Sequence, residues 1–190
     1  MKKVFFRFVS VAALCVTPAM FVPANAVEGI EMSKKVLVVY YSWSGNTAEL
    51  AKIIQKATGG DIFEIQTVKP YPKEYKAATE QAKKEINDGY KPAIKEKADN
   101  IGEYDVIFIG SPNWWGTIAP AVTTFLSEHD LSGKTVAPFF THGGGGMQRC
   151  ASDTAKLLPD SKVADALSLS GNKVKSAQKE AEEWVNKIIK

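Results

Sequence analysis

Between Tyr40 and Leu50 the chain reads YYSWSGNTAEL, a cluster of small polar residues whose types can do chemistry together. Ser42, Ser44 and Thr47 bring hydroxyls, Asn46 an amide, and Gly45 a backbone able to curl close to a ligand. No charged side chain occurs before Glu49. Ahead of a helix, such a loop adds its side-chain donors to unpaired backbone N–H groups and to the positive end of the helix dipole, a combination that holds an anion. A nucleoside-triphosphate loop, G-x-x-x-x-G-K-[ST], would carry a lysine for the extra charge, and the dinucleotide fingerprint G-x-G-x-x-G is missing as well. The donors therefore suit one terminal phosphate held without a cation. Simple helix capping is the competing reading, because Ser and Asn are ordinary N-cap residues. Four side-chain donors around one glycine exceed what a cap requires.

Two further stretches carry residues of this kind. Gly110–Thr117 reads GSPNWWGT, and two adjacent tryptophans are costly to leave exposed. They either pack beneath the domain or wall a site for a planar aromatic ligand. Thr141–Gly146 reads THGGGG, where four glycines permit close backbone approach to a flat molecule and His142 can stabilise negative charge or pass a proton. A purely structural histidine is the plainer alternative.

The elements that must position these loops follow from the apolar pattern. Val36–Tyr41 is a continuous apolar run, as in a strand buried on both faces. Leu50, Ile53, Ile54 and Ala57 then recur at helical spacing, and Gly59-Gly60 ends that helix. Ile62–Val68 predicts a second strand, more polar and so near an edge, and Tyr75, Ala78, Ala82 and Ile86 mark a second helical stripe. Val106–Ile109 predicts the third strand; Pro120 opens a helix with Val122, Phe125, Leu126 and His129 on one side. Thr135–Phe140 predicts the fourth strand, with Met147, Ala151, Ala155 and Leu158 following at helical spacing. Val163–Leu169 predicts the fifth, and Val174, Ala177, Ala181, Trp184 and Ile188 the closing helix. Five strand–helix repeats imply an α/β fold with a parallel sheet and helices on both faces. Pro138 sits badly inside the fourth strand and predicts a bulge or an early bend there. Ligands of open α/β sheets bind beyond the carboxyl ends of the strands, so all three polar loops fall on the binding side.

Ser-Trp-Ser-Gly-Asn-Thr at 42–47 resembles the phosphate loop of flavodoxins, [ST]-x-[ST]-G-x-T, and the resemblance runs from about Lys34 to the end of the chain. It implies a flavodoxin-like three-layer sandwich whose five-stranded parallel sheet has the family's order 2-1-3-4-5. It also implies FMN as the cofactor. On that likeness Ser42, Trp43, Ser44, Gly45, Asn46 and Thr47 surround the phosphate. Pro112, Asn113, Trp114, Trp115, Gly116 and Thr117 lie beside the isoalloxazine ring: Trp115 stacks on it, Gly116 turns a peptide group toward its reactive N5, Asn113 and Thr117 bond its edge, and Trp114 faces inward. Thr141, His142, Gly143, Gly144 and Gly145 line the polar edge of the ring, leaving His142 and Gly116 as the candidate catalytic residues. No metal site is expected.

The chain departs from electron-shuttling flavodoxins in two respects. Those proteins tend to be acidic, and their third loop carries an aromatic side chain over the outer face of the flavin. Thr141–Gly146 contains no Tyr, Phe or Trp. An open face favours a flavin-dependent oxidoreductase that reduces a quinone-type acceptor with NAD(P)H; a non-enzymatic shuttle reduced by a partner protein is the alternative. Two other chemistries are set aside. A response regulator needs an aspartate ending strand three, where Gly110-Ser111-Pro112 stands, and a hydrolase elbow G-x-S-x-G is absent.

The first 26 residues read differently from the rest. Lys2, Lys3 and Arg7 precede the mostly apolar stretch Phe8–Val22, and Ala24-Asn25-Ala26 matches a cleavage site, so a signal peptide is expected over 1–26 and a flavodoxin-like domain over 34–190. The mature chain is then expected in the periplasm or secreted; a start at Met32 would instead place it in the cytoplasm. Thr17, Pro18 and Pro23 break the leader's apolar run, and no membrane span is expected in the mature chain. Removing Lys2, Lys3 and Arg7 from the 24 basic residues leaves 21, equal to the 21 acidic ones. That neutrality gives no electrostatic footing for nucleic-acid binding. Cys150 alone remains after cleavage, so no internal disulfide can form.

Overall fold

The computed structural model describes residues 34–190; the leader expected at 1–26 and the alternative start at Met32 lie outside the described residues. The chain opens with β1 (Val36–Tyr40) and α1 (Asn46–Thr58), then β2 (Asp61–Glu64) and α2 (Tyr75–Asp88). Next come β3 (Val106–Trp114), the short β4 (Thr117–Ile118) and α3 (Pro120–Glu128). β5 (Thr135–His142), α4 (Cys150–Lys156), β6 (Lys162–Val163), β7 (Leu167–Ser170) and α5 (Gln178–Ile189) complete it. Along the sheet the order is β2-β1-β3-β5, with β6 and β7 both pairing the far side of β5, and every pairing except β3–β4 is parallel. Counting β6 and β7 as one interrupted strand, this is the expected order 2-1-3-4-5.

Strand alternation divides the core in two. Val36, Val38 and Tyr40 face α1 and α5, packing with Leu50, Ile54, Ala181 and Trp184. Leu37, Val39 and Tyr41 face the opposite layer, packing with Ala82, Val122, Phe125 and Cys150 from α2, α3 and α4. Two apolar faces on one sheet require helices on both sides, which makes the third layer obligatory. Phe108, Phe125, Phe139 and Phe140 have no solvent exposure, and truncating any one to Ala would cost about 3–5 kcal/mol.

Three elements depart from the sequence expectation. β2 stops at Glu64 rather than Val68, and Thr67 instead pairs antiparallel with Ile94 in the excursion that follows α2. β2 is the largely exposed edge strand, in keeping with its polarity. β3 runs well past Ile109 to Trp114 and turns back into β4, so the tryptophan segment is a hairpin rather than an open loop.

The third departure concerns Pro138. β5 is continuous through it, with Ile109 as its register partner, and no bulge interrupts the β3–β5 ladder. Thr135 donates its N–H toward β3, and Val136 accepts from Ala164 on the other side. By the two-residue period, the position of Pro138 that lacks an N–H faces the outer neighbour. There the expected strand Val163–Leu169 is split into β6 and β7, with Ala164–Ala166 between them belonging to neither. The proline interrupts its neighbour instead of its own strand.

Among the described residues, no helix is long and apolar enough to cross a membrane.

Candidate functional site

The three polar loops meet at the carboxyl ends of β1, β3 and β5. Gly45 caps α1 in the left-handed region (φ +90°) and donates its N–H to Ser42 Oγ at 3.2 Å. The first carbonyl engaged by the helix is Gly45 O, which accepts from Glu49 N. Among the described residues no acceptor takes the backbone N–H groups of Ser44, Asn46, Thr47 or Ala48. They form a nest at a helix N-terminus, with no cation nearby in sequence. Thr47 is buried and its Oγ1 shares a 2.8 Å hydrogen bond with Thr141 Oγ1, tying the first loop to the third across 94 residues. Trp43 is anchored by its Nε1, which donates to Pro72 O at 2.9 Å, and its ring lies 6.1 Å from that of Tyr75.

Beside the nest lies a cleft of about 410 Å³, within the usual range for small-molecule sites of about 300–1,000 Å³. Ser44 and Asn46 line one part, and Pro112, Asn113, Trp114 and Trp115 another. Thr141, His142 and Gly143 line it from β5. The fourth wall is one that sequence reasoning missed: Tyr75, Ala78, Thr79 and Ala82 from α2. Tyr75, Ala78 and Ala82 were legible as part of a helical stripe and Thr79 was not, and nothing in the spacing distinguishes a stripe that faces a ligand from one that faces the core. No Asp, Glu, Lys or Arg lines the cleft. Ser42, Gly45, Thr47, Gly116, Thr117, Gly144 and Gly145, named from the sequence, surround this cleft without lining it.

The hairpin tip explains the Trp-Gly pair. Trp115 (φ +54°) and Gly116 (φ +84°) both occupy the left-handed region, as the two central residues of a type I′ hairpin turn must. The non-glycine costs about 1–2 kcal/mol there, offset by contacts of the indole. Trp115 Nε1 donates to Thr79 O at 2.9 Å, and Lys83 Nζ sits 4.8 Å from the ring centroid. The indole thus spans from hairpin to α2, half exposed at the mouth of the cleft. Trp114 turns inward, edge-on to Tyr71 at 4.8 Å and to Tyr41 at 5.7 Å. Burial raises the phenol pKa of both Tyr41 and Tyr71; for Tyr71 its bond to the buried Glu85 carboxylate adds to the effect.

Several polar groups given to the ring edge from sequence are engaged within the protein. Asn113 Nδ2 donates to Gly146 O at 2.6 Å and its Oδ1 accepts from Gly116 N at 2.9 Å, joining the second loop to the third. Gly116 O accepts from Arg149 N at 3.0 Å, so both backbone polar groups of Gly116 are satisfied internally. A Cβ on Gly116 would lie 2.4 Å from Gln148 Oε1. Thr117 Oγ1 donates to Asp153 Oδ2 at 2.7 Å. Burial opposes the charge of Asp153, but bonds from Lys156 and Thr117 prevail and hold its carboxyl below the usual range. His142 Nδ1 accepts from Gly144 N at 3.1 Å, which leaves the proton of the neutral ring on Nε2. His129, by contrast, is structural: it stacks on Phe125 at 3.9 Å, with Nδ1 on Phe125 O and Nε2 accepting from Ala98 N. Cys150 is fully buried, and burial pushes its thiol up to about 12. Among the described residues no cluster of His, Cys, Asp and Glu could hold a metal.

Known proteins share this architecture. A flavoprotein from Lactobacillus acidophilus, solved in complex with FMN, superposes with a TM-score of 0.64 at 26% identity, covering 75% of this chain and 97% of that one. A provisionally designated flavoprotein from Bacteroides eggerthii gives a TM-score of 0.73 at 35% identity, over 82% of this chain and 98% of its own. An NAD(P)H dehydrogenase (quinone) of Cupriavidus metallidurans is 30% identical over 124 residues. That match covers 58% of this chain and only 59% of the relative's length. The flavodoxin family profile matches residues 35–188, almost the whole described region. With its nest of unpaired N–H groups on the β1–α1 turn and its aromatic cleft at the sheet's carboxyl edge, the chain belongs to the flavodoxin family.

Proposed function

We propose that this flavoprotein holds FMN in the cleft and acts as an oxidoreductase that passes electrons from NAD(P)H to a quinone-type acceptor. The observation that carries the reading is the uncharged cleft opening directly beside four unpaired N–H groups at the start of α1. Ser44, Asn46, Thr47 and Ala48 would take a phosphate through their backbone, with the Ser44 hydroxyl and Asn46 amide in reach of the cleft. Trp115 and Tyr75 flank the cleft's opening and present aromatic surface for a planar ring. Bound FMN supplies the redox chemistry. The chain's part is to position it, to limit water with Trp114, Ala78 and Ala82, and to offer a proton donor at His142 Nε2.

Two features support an enzyme over a shuttle. Gly143–Gly146 supplies no aromatic cover, leaving room for a second flat molecule, and the lining contains no carboxylate to repel a reduced, negatively charged ring. The partially matching relative named as a quinone dehydrogenase points the same way. The test is direct. Protein loaded with FMN is expected to oxidise NAD(P)H rapidly when a quinone is added, and Ser44→Ala with Thr47→Ala is expected to weaken FMN binding at least tenfold. Tight FMN binding without NAD(P)H oxidation would favour the shuttle; unchanged affinity in the double variant would remove the two hydroxyls from the site, and amide signals of Ser44–Ala48 that do not respond to FMN would remove the phosphate assignment.

The leader-like sequence of residues 1–26 supports a periplasmic or secreted location, with FMN acquired after translocation of the unfolded chain. Cell fractionation with a mass measurement tests it: the chain recovered only from the cytosol, beginning at Met32, would overturn export.

A further inference from the structure

Asn46 and Thr47, adjacent in the phosphate nest, each grip a different part of the structure that carries His142. Thr47 Oγ1 meets Thr141 Oγ1 at 2.8 Å inside the protein, and Thr141 immediately precedes His142 on β5. The Asn46 side chain lies against Gly171, just past β7: a Cβ there would sit 2.3 Å from Asn46 Nδ2 and 2.9 Å from its Cγ. Gly171 in turn donates its N–H to His142 O at 2.9 Å. The histidine's backbone is therefore held from both sides by contacts that begin in the nest. The ring is oriented separately, by the Gly144 N–H on Nδ1. Gly171 was not among the residues the sequence suggested; it earns a role only because the β7–α5 turn folds back under the start of α1.

We infer that occupation of the phosphate nest sets the position of His142 through Thr47–Thr141 and Asn46–Gly171, with Gly171 and Thr141 as positioning residues. An anion taking the N–H groups of Asn46 and Thr47 fixes these residues' backbones, and each transmits that constraint by one short contact to the strand end bearing the imidazole. The two ends of one ligand are thus coupled through the protein, and coupling between sites is reciprocal. The inference rests on the phosphate assignment above, but its test needs no flavin.

The chain contains two histidines, so an imidazole NMR spectrum has two sets of ring signals, and His129 at α3's far end serves as the internal control. Inorganic phosphate is titrated to saturation at constant pH, while the amides of Ser44–Ala48 report occupancy. In the unaltered protein the nest amides and His142 are expected to shift together, with His129 unmoved. Gly171→Ala displaces the Asn46 side chain without a backbone penalty, and Thr141→Val removes the hydroxyl at constant shape. In each variant the His142 response at saturation is expected to shrink about threefold or more while the nest amides still respond. Thr141→Ser should restore it. Amide shifts with a His142 response of full size in both variants would overturn the coupling and leave the phosphate site intact. Absence of amide shifts in the unaltered protein would overturn both.

Discussion

Asn113 offers a sharp discrimination between two roles, because one residue type serves both a ligand-binding and a structural reading. Its Nδ2 and Oδ1 are both used, on Gly146 O at 2.6 Å and from Gly116 N at 2.9 Å. Each net hydrogen bond of this kind contributes about 0.5–1.5 kcal/mol, so Asn113→Ala should cost the ligand-free protein about 2 kcal/mol. For a domain of this size that corresponds to a fall in Tm of about 4–8 °C. Asn113→Asp keeps the acceptor for Gly116 but turns the Gly146 carbonyl toward a carboxylate, so it should lose at least as much stability above pH 5. The assay is thermal unfolding of the ligand-free protein, paired with FMN affinity by fluorescence quenching. If Asn113 ties the loops together, stability falls first, and affinity falls because the hairpin and the glycine loop lose their mutual register. A Tm within 1 °C of the parent, accompanied by a tenfold loss of FMN affinity, would refute the structural role and return Asn113 to the ring edge.

Other outcomes follow from the same geometry. Gly45→Ala should destabilise by about 1–2 kcal/mol through its left-handed backbone alone, since a Cβ there meets nothing within 4 Å; an unaltered denaturation midpoint would contradict this. In protein processed after Ala26, the sole thiol Cys150 should resist a disulfide reagent at pH 8 until unfolding, because a pKa of about 12 leaves only about one thiolate in ten thousand. Rapid modification of the folded protein would show that α4 opens. Stability should decline above about pH 10: the unfolded chain releases the Tyr41, Tyr71 and Cys150 protons that the folded state retains, so the unfolded state binds fewer protons and the slope with pH is negative. Tyr71→Phe should be less stable at pH 7 by about 1.5–3 kcal/mol, having lost its bond to Glu85, yet show a shallower alkaline decline in urea titrations.

The sequence by itself determined the fold class and the donor-rich turn that opens α1, because both are local. A short continuous apolar run at Val36–Tyr41, ended by a polar glycine-containing turn, reads as a strand covered on two faces, and the donors of Ser42–Thr47 lie at the start of the next helix. The edge position of β2 was likewise readable from its polarity. Tertiary structure decided everything that depends on what lies opposite. Pro138 carries a local defect, but whether its own strand or its neighbour gives way depends on which side the absent N–H faces. Trp115 and Trp114 are adjacent and chemically alike, yet a type I′ turn sends one to α2 and the pleat sends the other into the Tyr41–Tyr71 cluster. Asn113 and Thr47 read from sequence only as ligand donors, and the fold adds Gly146, Gly116 and Thr141 as side-chain partners from distant segments. Side-chain chemistry fixes what a residue can bond; only the packed chain fixes what it does bond, because each donor is committed once and the nearest acceptor is set by residues far away in sequence.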